Sequence, residues 1–162
     1  MHKFNTNCVT PCIKLLQSIL LLTKSDKTIQ ILLADDDAVD RELFAEALKS
    51  TRVKHKLNEV GGGEEVFTHL QSSIVKPDII ILDLNMPVKD GRETLKELKA
   101  NKNFKSIPVM ILSTSNSHFD VTFSYDHGAS LFLTKPHSFH DLVEMIDTLL
   151  SLCSKYVSFQ QA

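Results

Sequence analysis

The chain has 162 residues, 43% of them hydrophobic and 23% charged, the composition of one ordinary globular domain with a single core. Eighteen basic against twenty acidic residues leave a formal charge of −2, so bulk charge gives no ground for nucleic-acid binding. The three cysteines, Cys8, Cys12 and Cys153, form neither a CxxC nor a ligand spacing with histidine. They point to free thiols in a reducing compartment, and so to a cytoplasmic protein.

In chain order, residues 1–27 come first as an extension that differs from the rest. Its apolar stretch "PCIKLLQSILLLTKS" is interrupted by Lys14, and the run Leu15–Leu22 is far below the roughly 20 residues a membrane helix needs. No A-x-A cleavage site follows it. The expectation is a short helix that packs on the domain or frays, with no membrane span.

From Thr28 onward, short apolar runs alternate with longer amphipathic segments. The runs are "IQILLA" (29–34), "HKLNEV" (55–60), "DIIILD" (78–83), "PVMILS" (108–113) and "SLFLT" (130–134). Four of the five are nearly continuous in aliphatic residues, as parallel strands covered on both faces are. "HKLNEV" alternates and is more polar, which predicts an edge strand.

Between the runs lie helical patterns. Val39, Leu43, Phe44, Ala47 and Leu48 form the first, Val66, Phe67 and Leu70 the second, and Leu95 and Leu98 the third. Residues 117–127 make a weaker helix with no clean stripe. The last keeps i, i+3, i+4 spacing through Leu142, Met145, Ile146, Leu149, Leu150 and Cys153. Five β-α units predict an open, doubly wound parallel sheet, because parallel strands need crossover helices.

In such a sheet ligands bind outside the carboxyl ends of the strands. Asp35 and Asp36 end the first strand, Asp83 the third and Ser113 the fourth, while Lys135 follows the fifth. Two carboxylates about 4 Å apart repel by roughly 4 kcal/mol at an effective dielectric of 20, so the acidic group calls for a cation. Oxygen ligands of this kind suit Mg²⁺, with waters and phosphate oxygens completing the shell. A hydroxyl and an ammonium beside it suit a phosphoryl group, whose transfer needs mainly positioning and charge neutralisation. A carboxylate can be the nucleophile, and Asp83, on the central strand, is the best placed. The plainer reading of Asp35–Asp37 is a helix cap. It accounts for Asp37 but leaves the Asp, Ser and Lys of the other strands unexplained.

Together "ILLADDD", "DIIILDLNMPVKDG", "PVMILSTS" and "GASLFLTKP" resemble the response-regulator receiver domain over residues 28–153, leaving 154–162 as a short tail. The resemblance implies the flavodoxin/CheY-like α/β fold, five parallel strands in the order 2-1-3-4-5. It implies Asp83 as phosphoacceptor and a metal site of Asp35, Asp36, Asp83 and the Asn85 backbone carbonyl. It further implies Ser113 and Lys135 as the groups that follow the phosphoryl group, Ser113 and Phe132 as the switch, and a cis bond between Lys135 and Pro136. The stretch "STSNS…SYDHGASLFLTKP" is similar to small regulators paired with phytochrome-type histidine kinases. Two departures stand out: His137 where an aromatic or apolar residue is common, and Thr114 where Ala or Gly often follows the hydroxyl residue.

Other features take plain readings. "GGG" (61–63) lacks a following lysine or a GxGxxG frame and reads as a strand-to-helix turn. The seven histidines show no HExxH or i, i+4 pair of histidines and take surface or core roles. Phe119, Phe123 and Phe132 are expected in the core, Phe132 with the second role above. "ETLKELKANK" reads as a solvated helix face.

The implied function is a single-domain response regulator of a two-component phosphorelay, a Mg²⁺-dependent phosphoacceptor rather than an enzyme with its own substrate. No output domain is expected after residue 153, so phosphorylation acts on protein partners. These are a histidine kinase or histidine phosphotransfer protein as donor and a protein target downstream, or a second copy through the last helix, with neither nucleic acid nor membrane. The alternative is a relay intermediate or phosphate sink without switched output. A haloacid-dehalogenase-type phosphohydrolase needs a DxD, and here "DLN" places Asn85 at the second position. A pseudo-receiver usually loses the acidic pair or the lysine, and this chain keeps both.

Overall fold

The computed structural model describes residues 28–156. The expectations for residues 1–27, with Cys8 and Cys12, and for the end of the tail lie outside the described residues. The chain runs β1 (Ile29–Ala34), α1 (Ala38–Leu48), β2 (His55–Val60), α2 (Gly63–Ser72), β3 (Ile79–Leu82), α3 (Gly91–Ala100), β4 (Val109–Ser113), α4 (His118–Asp126), β5 (Leu131–Thr134) and α5 (Phe139–Tyr156). The five strands form one parallel sheet in the order β2-β1-β3-β4-β5. Strand order doubles back after β2, so the connections leave β1 and β3 in opposite directions and open a crevice above their carboxyl ends.

Side-chain alternation divides the central strands between two cores. On one face Leu32, Ala34, Ile80, Leu82, Val109 and Ile111 pack against Val66 and Leu70 of α2 and Leu95 and Leu98 of α3. On the other, Ile31, Leu33, Ile79, Ile81 and Leu112 meet Phe44, Ala47 and Leu48 of α1 and Ile146, Leu150 and Cys153 of α5. Each fully buried aliphatic side chain contributes about 1.5–3 kcal/mol relative to exposure. The helical stripes on α1 and α5 therefore close one face, and those on α2 and α3 the other.

β2 is an edge strand, as its alternation predicts. β5 is the other edge, as the order 2-1-3-4-5 implies, but its Leu131, Phe132 and Leu133 are half-buried rather than covered on both faces as its apolar run predicts. A four-residue edge strand paired only with β4 has one flank without a neighbouring strand. There the Phe132 N–H donates to the Tyr125 hydroxyl at 3.2 Å, so a side chain takes the place of a sixth strand.

α4 departs further. Its buried residues are Asp120 and Ser124, while Phe119, expected in the core, is 68% exposed. Phe123 stacks on His127 at 4.0 Å and lies 6.0 Å from Phe119, so the aromatic residues run along the helix surface. The "GGG" turn is as predicted: Gly62 caps α2 and Gly63 opens it. Gly91 has a packing reason, since a Cβ there would lie 2.0 Å from the Asp83 carbonyl oxygen. The start of α3 is thereby drawn directly under the phosphoacceptor candidate.

Candidate phosphoacceptor and metal site

Backbone bonds across the strand ends fix the rim. The Asp35 N–H donates to Val60 O at 3.2 Å, Asp83 N–H to Ala34 O at 2.9 Å, and Lys135 N–H to Ser113 O at 2.8 Å. Asp35, Asp83 and Ser113 are thus buried at 3%, 6% and 0% exposure, whereas Asp36 just past the strand is exposed. Carboxylate oxygens of Asp35, Asp36 and Asp83 all lie within 4.8 Å of one another. The expected acidic triad is brought together.

Lys135 reaches into it. Its Nζ sits 2.7 Å from Asp35 Oδ2 and 3.7 Å from Asp83 Oδ2. Burial disfavours the ammonium, but the bonds to Asp35 and Asp40 and the charge of Asp83 outweigh it and hold Lys135 protonated well above the usual lysine range. Asp35 shows the opposite balance. Burial pushes its carboxyl up, and Lys135 and the Asp37 N–H, which donates to Oδ1 at 3.0 Å, offset this only in part. One lysine does not neutralise three carboxylates. A divalent cation coordinated by them would, and the all-oxygen donor set fits Mg²⁺ or a similar hard ion.

Asp37 divides from its neighbours as expected. It caps α1, accepting the Val39 N–H at 2.8 Å. Ser113 Oγ accepts from the Asn85 amide at 3.4 Å and from the Ser115 N–H at 3.3 Å, while Thr114 Oγ1 accepts from the same amide at 3.5 Å. The Asn85 side chain therefore spans the gap between the β3 and β4 loops. Beyond it the chain makes a tight turn, the Lys89 N–H donating to Pro87 O at 2.8 Å with Val88 at φ +66°. A β-branched residue in that region costs about 1–2 kcal/mol, strain carried next to the site.

One expectation is corrected. The Lys135–Pro136 bond is trans, since no cis peptide occurs among the described residues. An X-Pro bond favours trans by about 0.5–1 kcal/mol, and Lys135 reaches Asp35 from this geometry without the rarer isomer. Phe132 is half-buried and packs against the core beneath α2 and α3.

Sequence reading missed two parts of the rim. The first is Asp40, whose Oδ2 lies 2.6 Å from Lys135 Nζ. Its signal was present, because Asp40 stands one helical turn after Asp36. The second is a polar knot on the β4–α4 side. Arg92 grips Asp120 Oδ1 through Nε at 2.7 Å and a terminal nitrogen at 2.6 Å, and Ser115 and Ser117 hydroxyls donate to Oδ2 at 2.5 and 2.9 Å. Arg92 and Asp120 are 28 positions apart, and no local pattern links them. His140, Asp141 and Glu144, all exposed on the first two turns of α5, are the other cluster of ligand-type side chains among the described residues.

Comparison with known proteins agrees with this geometry. The response regulator receiver domain family matches residues 31–147, and the chain belongs to that family. Response regulator Rcp1 of Synechocystis sp. is 36% identical over 137 residues, covering 82% of this chain and 93% of that protein. The two-component response regulator ARR17 of Arabidopsis thaliana is 30% identical, with 80% and 90% covered. The Mn²⁺-bound crystal structure of Rcp1 superposes with a TM-score of 0.75 over 82% of this chain and 99% of that one. The phosphorylated cyanobacterial phytochrome response regulator RcpA is 32% identical and gives 0.78, over 83% and 100%. The fold, the receiver family and the likeness to two-component regulators of the phytochrome type are thus shown. No helix among the described residues is long and apolar enough to cross a membrane.

Proposed function

We propose that Asp83 accepts a phosphoryl group from a histidine kinase or histidine phosphotransfer protein, and that the modified domain then exchanges protein partners in the cytoplasm. The observation that carries this reading is the convergence of Asp35, Asp36 and Asp83 within 4.8 Å, with Lys135 3.7 Å from Asp83 Oδ2. An Asp83 oxygen attacks phosphorus, the P–N bond to the donor imidazole breaks, and an acyl-phosphate P–O bond forms. Asp35, Asp36, Asp83 and the Asn85 carbonyl would hold Mg²⁺, which supplies charge neutralisation to the phosphoryl oxygens. Lys135 supplies a second positive charge and Ser113 a hydroxyl that the phosphoryl oxygens can engage. The likeness to a Mn²⁺-bound and to a phosphorylated regulator supports the same reading.

The donor docks against α1, where Val39 and Leu43 are 61% and 40% exposed beside the acidic rim, whereas Phe44, expected on the same docking face, is buried in the core. Phosphorylation acts at a distance through Ser113 and Phe132, toward the face formed by α4, β5 and α5, where a protein target or a second copy binds. The added phosphoryl group carries about −1.5 to −2 charge and need only bias a two-state element. The domain is a signalling module, its only chemistry the gain and loss of that group. Incubated with Mg²⁺ and acetyl phosphate, the protein is expected to gain one phosphoryl mass, and Asp83→Asn none. Stable labelling of the Asn variant elsewhere refutes the assignment. The switch is tested separately: partner binding or self-association that does not respond to a beryllofluoride mimic leaves a relay or sink as the better account.

A further inference from the structure

Lys135 does not sit on the phosphoacceptor. Its two short contacts, 2.7 Å to Asp35 and 2.6 Å to Asp40, lie on the β1–α1 side, and Asp83 at 3.7 Å is beyond hydrogen-bond reach. An ammonium has three donors, and two of them are committed to this pair of carboxylates. A phosphoryl group on Asp83 needs the lysine to turn toward it. Asp35 is 4% exposed and belongs to the acidic triad, whereas the Asp40 side chain is 36% exposed and stands on α1 outside the triad. The bond to Asp40 is therefore the one that can be given up, since its carboxylate can be taken over by water.

We propose that Asp40 is a positioning residue that parks Lys135 away from Asp83 and so sets how fast Asp83 accepts a phosphoryl group. The inference rests on Asp83 being the phosphoacceptor. Asp40 lies between the exposed Val39 and Leu43, and with Leu43, Phe44, Lys135 and Pro136 it lines a cavity of about 110 Å³ between α1 and the start of α5. A donor that covered this carboxylate would strengthen its ion pair with Lys135, so the lysine is released where Asp40 stays open to water.

The test is the initial rate of phosphorylation by acetyl phosphate with saturating Mg²⁺, followed by intact mass. Asp40→Asn removes the ion pair and is expected to raise the rate about fivefold, the rate equivalent of one partly exposed ion pair. Asp40→Glu keeps a carboxylate within reach of Lys135 and is expected to restore the wild-type rate. Asp37→Asn removes a charge from the same rim while its amide can still cap α1, and is expected to leave the rate unchanged. A crystal structure of Asp40→Asn should show Lys135 Nζ moved to about 3 Å from an Asp83 oxygen. An unchanged or slower Asp40→Asn overturns the proposal. So does an equal rise in Asp37→Asn, which would mark simple repulsion of the anionic donor. If wild type accepts no phosphoryl group, the reading of Asp83 falls and this inference with it.

Discussion

Two buried carboxylates stand at the same rim of the sheet, each held by one cation, and their proton affinities move in opposite directions. Burial raises the pKa of both. At Asp120, hydrogen bonds from Ser115, Arg92 and Ser117, with the charge of Arg92, outweigh it and hold the carboxyl below the usual range. At Asp35 the same kinds of contact are too few, and the carboxyl stays above it. The difference lies in the donors. Asp120 takes a forked guanidinium and two hydroxyls, while Asp35 takes one lysine and one backbone N–H and faces the charge of Asp83. A carboxylate whose lone pairs are all answered is a fastener, here tying the start of α3 to the loop between β4 and α4. One left short of positive charge is a place where a cation has work to do.

Substitutions at the fastener should show the largest effect. Asp120→Ala leaves Arg92 only its 3.7 Å ion pair with Asp90 and takes the acceptor from two serine hydroxyls, and should cost about 1–3 kcal/mol in urea unfolding. Because the folded pKa is depressed, the contribution of Asp120 is present above pH 3.8 and is lost as pH falls through the lower folded value. The gap between wild type and Asp120→Asn should therefore close in acid; a gap that persists at pH 2 would mean that packing rather than charge holds this corner. Arg92→Lys should cost less, about 0.5–1.5 kcal/mol, since a point charge replaces a fork that spans two bonds while both serines remain. If Lys serves as well as Arg at 92, the two-pronged geometry is irrelevant and the contrast with Lys135 loses its basis.

The same contrast explains what the sequence made legible. The acidic triad, Ser113 and Lys135 sit at strand ends, and the strands announce themselves by runs of aliphatic residues, so the topology alone placed these groups on one rim. β1 and β2 have the bounds their patterns predict, and Asp37 separates as a cap because it precedes a helical stripe. Asp40 carries a signal as well, one helical turn from Asp36, but it lies inside a helix and not at a strand end, where the topology gathers the other groups. The Arg92–Asp120 knot had no local signal. Its effect is to bury polar residues of α4 in place of its phenylalanines, which inverts the stripe that periodicity looks for. The apolar run of β5 predicts a strand covered on both faces, because three apolar residues in a row carry no sign of the half-exposure that its edge position brings. The Lys135–Pro136 isomer depends on local contacts that no spacing encodes.

The smallest expected effect is also the one that most sharpens the comparison. In chelator at pH 7, Asp35→Asn should leave the fold as stable as wild type or slightly more so, by less than about 1 kcal/mol. The amide removes a charge that burial disfavours, while Lys135 keeps its 2.6 Å bond to Asp40. The sign follows from the raised pKa. The folded state holds the Asp35 proton more tightly than the unfolded chain does, so the favourable contribution is complete below pH 3.8 and is lost as pH rises through the higher folded value. Wild type should therefore lose ground to Asp35→Asn as the pH climbs from 3.8 toward neutrality, the reverse of the pattern at Asp120. Adding Mg²⁺ should then raise the melting temperature of wild type more than that of the variant, because the cation supplies the charge that one lysine does not. Thermal melts of both proteins from pH 3 to pH 8, with chelator and with Mg²⁺, decide it. A variant less stable than wild type in chelator at neutral pH would show that Lys135 already satisfies Asp35, and that the two carboxylates at the rim differ in neighbours but not in kind.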